Sequence, residues 1–198
     1  MRRALLDQAS QLLLAEGIHA LSTRKLAELA GTSTTAIYTL FGGKDGLLEA
    51  LYIEGFQRLN GAIRAVKQNK NPLEHLRAIN KTYRKVALEN PAYYAIMFEK
   101  ISPAHEPSDA ALEQAWQSME PLIATIQRCM DASLIPAGNA EEHAMKFWIG
   151  AHGLVSLELA GYFRQQPKLA SKMHEQIVTD LTLNASGAKP KAGPRTRK

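Results

Sequence analysis

The 198 residues hold one cysteine, Cys129, so no disulfide can form within the chain, and the reducing cytoplasm is the expected setting. Long apolar runs are also missing. The longest, FWIGAHGLVSLELAGYF at 147–163, is shorter than a spanning helix and carries His152 and Glu158, so no membrane partner is expected. The opening MRRALLDQAS has a basic pair, but Asp7 and Gln8 interrupt any apolar leader and no signal peptide is read there. Catalytic spacings are lacking too. Among the six histidines no two stand four residues apart around a carboxylate, and a lone cysteine builds no zinc cluster. In GGKDG, Lys44 is followed by Asp45, not by the Ser or Thr of a phosphate loop. The expectation is therefore no enzyme, no cofactor and no metal.

What the chain does have is 45% hydrophobic residues, enough for a substantial core, and long stretches rich in Ala, Leu, Glu, Gln, Lys and Arg between prolines that fall at breaks. This composition predicts an all-α fold. The net charge of +5 is concentrated: Lys189, Lys191, Arg195, Arg197 and Lys198 stand in a tail, 185–198, that has no acid. Without those five, 19 basic residues balance 19 acidic ones. The tail reads as a disordered basic end.

Periodicity, caps and breakers predict about nine helices. They cover 2–16, 22–30, 34–40, 44–68, 72–89, 91–98, 109–133, 139–165 and 168–184, with SPAHEPSD at 102–109 as the clearest interior loop. Ser22 and Ser33 are N-cap candidates, and Gly31 suits the left-handed turn after the second helix. The second and third helices are then two short pieces joined by Gly31-Thr32-Ser33, a helix-turn-helix pattern with Leu26, Ala30, Ile37 and Leu40 inward. The third helix is too polar for a core element. Its Thr34, Thr35, Tyr38 and Thr39 point outward, and short hydroxyl side chains with an aromatic hydroxyl suit base edges and phosphates in a major groove.

Three stretches together carry a family resemblance: RRALLDQASQLLLAEG, STRKLAELAGTSTTAIYTLF and GGKDGLLEALY. Residues 2–52 resemble the N-terminal domain of the TetR (tetracycline repressor) family of bacterial transcriptional regulators. The resemblance implies a homodimer on palindromic double-stranded operator DNA, with a helical C-terminal domain for dimerisation and for sensing a small molecule. Carried over by position, Thr23, Tyr38 and Lys44 resemble the family's phosphate-contacting residues. Helix N-termini at Thr23 and Lys44 already favour phosphate, and Arg24 and the Arg2-Arg3 pair add candidate contacts. Thr32, Thr34, Thr35 and Thr39 are the base-reading candidates, their methyl groups suited to thymine. Gly43 stands where the family more often has Ser or Asn, and Thr39-Leu40 replaces a frequent aromatic or His pair. With the first helix starting at Arg2, few minor-groove contacts are expected.

FWIGAHGLVSLELAG further resembles the Trp/His/Gly-marked helix of one C-terminal subfamily of these regulators. Leu154 and Val155, with Met173, Ile177 and Leu181 on the last helix, are expected at a four-helix dimer interface. Phe56, Tyr83, Tyr94, Met97, Phe98, Trp116, Met119, Phe147, Trp148 and His152 are candidate linings of a pocket for a mostly apolar effector. The expected layout is a helix-turn-helix domain over 1–48, a ligand-binding and dimerisation domain over 49–184, and the tail. The function read from it is a DNA-binding regulator, a repressor released by its effector. The competing reading is a ligand-independent regulator or protein-binding adaptor on the same fold.

Overall fold

The structure, a computed structural model, describes residues 1–99 and 106–183, without the side chains of 181–183. The basic tail and the first half of the loop at 102–109 lie outside them. The described residues form ten helices and no strand: α1 (Arg2–Glu16), α2 (Thr23–Leu29), α3 (Thr34–Phe41), α4 (Lys44–Arg64), α5 (Pro72–Glu89), α6 (Pro91–Phe98), α7 (Asp109–Gln117), α8 (Glu120–Asp131), α9 (Ala140–Leu159) and α10 (Pro167–Leu183). The fold is all-α, as expected. Where a single helix was read over 109–133 there are two. Pro121 offers no N–H to the carbonyl four residues back, and α7 stops at that residue, Gln117. α9 ends before its expected limit because Gly161 takes a left-handed φ of 85° that no continuing helix adopts. No helix among the described residues is long and apolar enough to cross a membrane.

The chain forms two compact units. The first holds Met1–Ala65 and Lys85–Glu120. Leu6, Leu21, Leu26, Ile37, Leu47 and Leu51 are fully buried in its core, which continues through Phe56 to Tyr93 and Ile96 of α6. Helices of seven and eight residues are too short to hold themselves in water, and burying each of these side chains contributes roughly 1.5–3 kcal/mol. Packing, not helix propensity, therefore fixes α2 and α3. One close approach sets the angle at which α3 gives way to α4: a Cβ placed on Gly46 would sit 1.8 Å from the Phe41 carbonyl oxygen. No side chain fits there. Further along α4, Gly55 makes room in the same way for Met97 and Tyr93 of α6.

The second unit holds Val66–Arg84 and the chain from Pro121 onward, so it takes the first part of α5 with α8, α9 and α10. Leu76, Ile126, Val155 and Val178 are fully buried there. Burial also pushes the Cys129 thiol up to about 11, leaving it protonated. Arg84 of α5 donates through Nε to a Glu158 carboxylate oxygen at 2.8 Å and through a terminal nitrogen to the other, a forked pair that fixes α5 against α9. The Asn80 amide donates to the His174 carbonyl at 2.7 Å, tying α5 to α10.

Candidate nucleic-acid interface

The helix-turn-helix is built by its caps. Ser22 Oγ accepts from Lys25 N–H at 3.1 Å, and Ser33 Oγ accepts from Ala36 N–H at 3.1 Å, so each hydroxyl satisfies one of the donors that a helix start leaves open. Between them Gly31 takes φ 60°, and Thr32 N–H donates back to the Ala27 carbonyl at 2.9 Å, closing the turn. Both caps and the left-handed glycine stand where the sequence placed them. Leu26 and Ile37 face inward and are fully buried, with Ala30 and Leu40 half-buried beside them. Leu29, the last residue of α2, is exposed.

On the outer face of α3, Thr34, Thr35, Tyr38 and Thr39 are all exposed, Tyr38 to 57%. They fall at i, i+1, i+4 and i+5, which puts them on one side of the helix. Thr39 Oγ1 donates to the Thr35 carbonyl at 2.9 Å. Thr32, in the link, is half-buried.

Gly42 ends α3 at φ 72°, and Gly43 opens α4 at φ 127°, a backbone that strains any L residue. That is the physical reason Gly43 stands where a Ser or Asn cap is more frequent. It lies against the Tyr38 ring, to which a Cβ there would approach within 3.5 Å. The phenol is thus held beside the N-terminus of α4, where open N–H groups and the helix dipole attract an anion. Lys44 Nζ donates to the Ile18 carbonyl at 2.9 Å, which anchors the ammonium at the same end of α4. Thr23 is half-buried at the front of α2, and Arg24 is exposed beside it. The other nearby cations are engaged: Arg2 lies over the Phe41 ring, Arg3 pairs with Glu54, and Lys25 pairs with Glu16.

Two family descriptions match this chain. "Bacterial regulatory proteins, tetR family" covers residues 5–51, and "Tetracyclin repressor-like, C-terminal domain" covers residues 76–181. The chain belongs to the tetR family. It is a DNA-binding transcriptional regulator of helix-turn-helix type, and regulators of this family bind operator DNA. Among its relatives, the uncharacterised HTH-type transcriptional regulator YvkB of Bacillus subtilis (strain 168) is 25% identical over 158 residues, 73% of this chain and 76% of that one. A protein of unknown function from Rhodococcus sp. RHA1 superposes with a TM-score of 0.77 at 26% identity, covering 91% of this chain and 95% of that one. AibR, solved in complex with isovaleryl coenzyme A and operator DNA, shares the fold with a TM-score of 0.70 at 17% identity, over 91% of this chain and 97% of that one.

In this tetR-family chain the residues singled out for an effector fall into two sets, one in each unit. In the first, Phe56 packs edge-on to Phe98 at 5.6 Å, Tyr94 meets Phe98 at 4.9 Å, and Met97 lies against Gly55. In the second, the Tyr83 hydroxyl and His152 Nδ1 lie 3.2 Å apart, the Trp148 ring lies 5.1 Å from the same imidazole at a tilt of 39°, and Phe147 is buried on α9. Burial lowers the His152 pKa, so the ring is neutral near pH 7. Met119 is half-buried. Trp116 is 62% exposed on α7, on the open surface of the chain and not in an enclosed lining.

The dimer candidates divide as well. Val155 has no exposed surface and Leu154 very little, so both belong to the core of their own chain and offer a partner nothing to cover. Met173 is exposed and Ile177 half-buried, while the Leu181 side chain lies outside the described ones. Among the described side chains of α9 and α10, the exposed large apolar ones are Met173 together with Ile149, Leu157 and Leu169, which were not among the candidates. Gly153 stands between Ile149 and Leu157 with open space before it, whereas a Cβ on Gly150 would touch Ile177 at 3.9 Å.

Sequence reasoning missed one polar cluster entirely. Arg58 of α4 pairs with Asp7 of α1 at 2.7 Å and with Glu54 at 2.8 Å, and its guanidinium covers the Tyr93 ring at 4.4 Å. The Tyr93 hydroxyl in turn donates to Asp7 at 3.2 Å. The partners are 86 residues apart in sequence, and no local pattern announces them.

Proposed function

We propose that the regulator is a cytoplasmic repressor that binds a palindromic operator as a homodimer and leaves it when a small, mostly apolar effector binds. The observation that carries this reading is the exposed polar face of α3, flanked by the N-termini of α2 and α4, on a chain whose cores are otherwise apolar. The bases fall to Thr32, Thr34, Thr35 and Thr39, and the phosphates to Thr23, Arg24, Tyr38 and Lys44. A second copy supplies the second half-site, about 34–36 Å away, the spacing of successive major grooves. Four exposed apolar side chains of α9 and α10, Ile149, Leu157, Leu169 and Met173, support pairing through these helices.

Release requires an effector that binds more tightly to a conformation in which the two recognition helices no longer match the grooves. α4 is the connecting rod: it runs unbroken from Lys44 beside the DNA face to Phe56, Leu59 and Ile63 in the core. AibR, a protein of the same fold, holds both a small molecule and operator DNA, which makes the fold compatible with this scheme. In this scheme DNA reading falls to 1–48 and sensing to 49–184, a functional division distinct from the two compact units, the first of which takes Met1–Ala65 with Lys85–Glu120.

The test is a footprint of the protein on its own upstream region, followed by gel shifts of wild type and Lys44→Ala across a range of salt. A protected palindrome and a shallower salt dependence for the variant are expected. An unchanged slope would remove Lys44 from the phosphate contacts, and equal affinity for random and upstream duplexes would remove the operator.

A further inference from the structure

We propose that α3 selects its base pairs through thymine methyl groups and not through paired hydrogen bonds to guanine or adenine. This rests on α3 being the recognition helix. Its eight residues, TTAIYTLF, include no Arg, Lys, Asn, Gln, Asp or Glu. Bidentate reading of guanine needs a guanidinium or ammonium, bidentate reading of adenine needs an amide, and reading of the cytosine amine favours a carboxylate. α3 has none of these.

The structure narrows what its hydroxyls can do. Ser33 Oγ is used as the cap of α3. The single hydroxyl hydrogen of Thr39 goes to the Thr35 carbonyl at 2.9 Å, so this oxygen can only accept and has nothing to offer the acceptor-only edge of guanine, or O4 of thymine. With Oγ1 turned back to the helix, the staggered geometry at Cβ directs the Thr39 methyl group elsewhere, on a residue that is exposed. Thr35 stands one turn away on the same face. The nearby cations do not substitute: Lys44, Arg2 and Lys25 are engaged with Ile18, Phe41 and Glu16. Arg24 belongs to α2 and not to α3, and its proposed contact is to phosphate.

The half-site beneath α3 is therefore rich in A·T pairs, with thymine methyl groups towards Thr35 and Thr39. The experiment selects bound duplexes from a random library with the full chain, then replaces each thymine of one half-site singly with deoxyuridine. Deletion of a methyl that is buried in the complex should weaken binding about fourfold at two or more positions. 5-Methylcytosine at those positions should restore part of the loss. Thr39→Ser, which deletes the methyl group and keeps the hydroxyl, should weaken binding and lose its sensitivity to deoxyuridine. Enriched duplexes in which deoxyuridine is neutral everywhere, or in which Thr35 and Thr39 variants alter preference at an unmethylated G·C pair, overturn this inference and leave operator binding intact. Failure of any duplex to enrich overturns the recognition-helix reading itself.

Discussion

The Arg58 guanidinium meets the Asp7 carboxylate at 2.7 Å and lies over the Tyr93 ring at 4.4 Å, so one cation joins α1, α4 and α6. Its side chain is only 18% exposed and serves two carboxylates, which places it above an ordinary surface ion pair. Arg58→Met should lower stability by about 1.5–3 kcal/mol in urea melts, the range for a hydrogen bond to a charged group. Arg58→Lys should recover only part, since an ammonium cannot fork to two acids while stacking on a ring. An unchanged midpoint in Arg58→Met would show that the cluster adds nothing.

Two glycines of α4 should respond in opposite directions. Gly46→Ala forces a methyl into the Phe41 carbonyl, so α3 must shift; the loss should be on the order of 3 kcal/mol or more, with weakened operator binding. Gly61 meets nothing within 4 Å, and Gly61→Ala should stabilise by roughly 0.5–1 kcal/mol through helix propensity alone. Thermal melts of both variants check the pair.

Stability should fall as the solution is acidified from neutrality. His174 is 3% exposed, and its pKa is lowered to about 4 by burial, with Arg84 pushing the same way and Glu158 opposing. Between pH 6.5, the ordinary histidine value, and about 4, the unfolded chain takes up a proton that the folded chain refuses. The stabilisation is complete above that window and lost at its lower end, a change of up to about 3 kcal/mol. His174→Gln should flatten the dependence of denaturation midpoint on pH. It should not abolish it, because burial lowers His75 and His152 as well and both act with the same sign.

Neighbouring positions on α9 should separate self-association from folding. Leu157 is exposed, and Leu157→Arg should give a folded chain that light scattering finds as a single copy. Val155 is fully buried, and Val155→Arg should fail to fold. A folded dimer in Leu157→Arg would move the contact to another face.

The parts of this structure that were legible in the sequence are those fixed by neighbours in the chain. A hydroxyl bonding three residues ahead, as Ser22 and Ser33 do, or a glycine turning left-handed, as Gly31 does, leaves its signal within four residues. Pro121 was equally local, and its position inside an expected helix was the sign that α7 and α8 are separate. Gly46, in contrast, is required by a carbonyl of the preceding helix, and Asp7 by a tyrosine 86 residues on; neither constraint has a pattern in sequence. Val155 failed for a related reason. Helical periodicity assigns a residue to a stripe but not to its own core or to a second chain, and only burial separates the two.

Tyr93 and Asp7 fall in different family matches, 76–181 and 5–51, yet they share a hydrogen bond. Anyone building chimeras by transplanting a relative's first fifty or so residues onto this scaffold would therefore cut through a joint that sequence boundaries do not mark. Position 7 of the donor, not the seam itself, becomes the first place to check for compatibility.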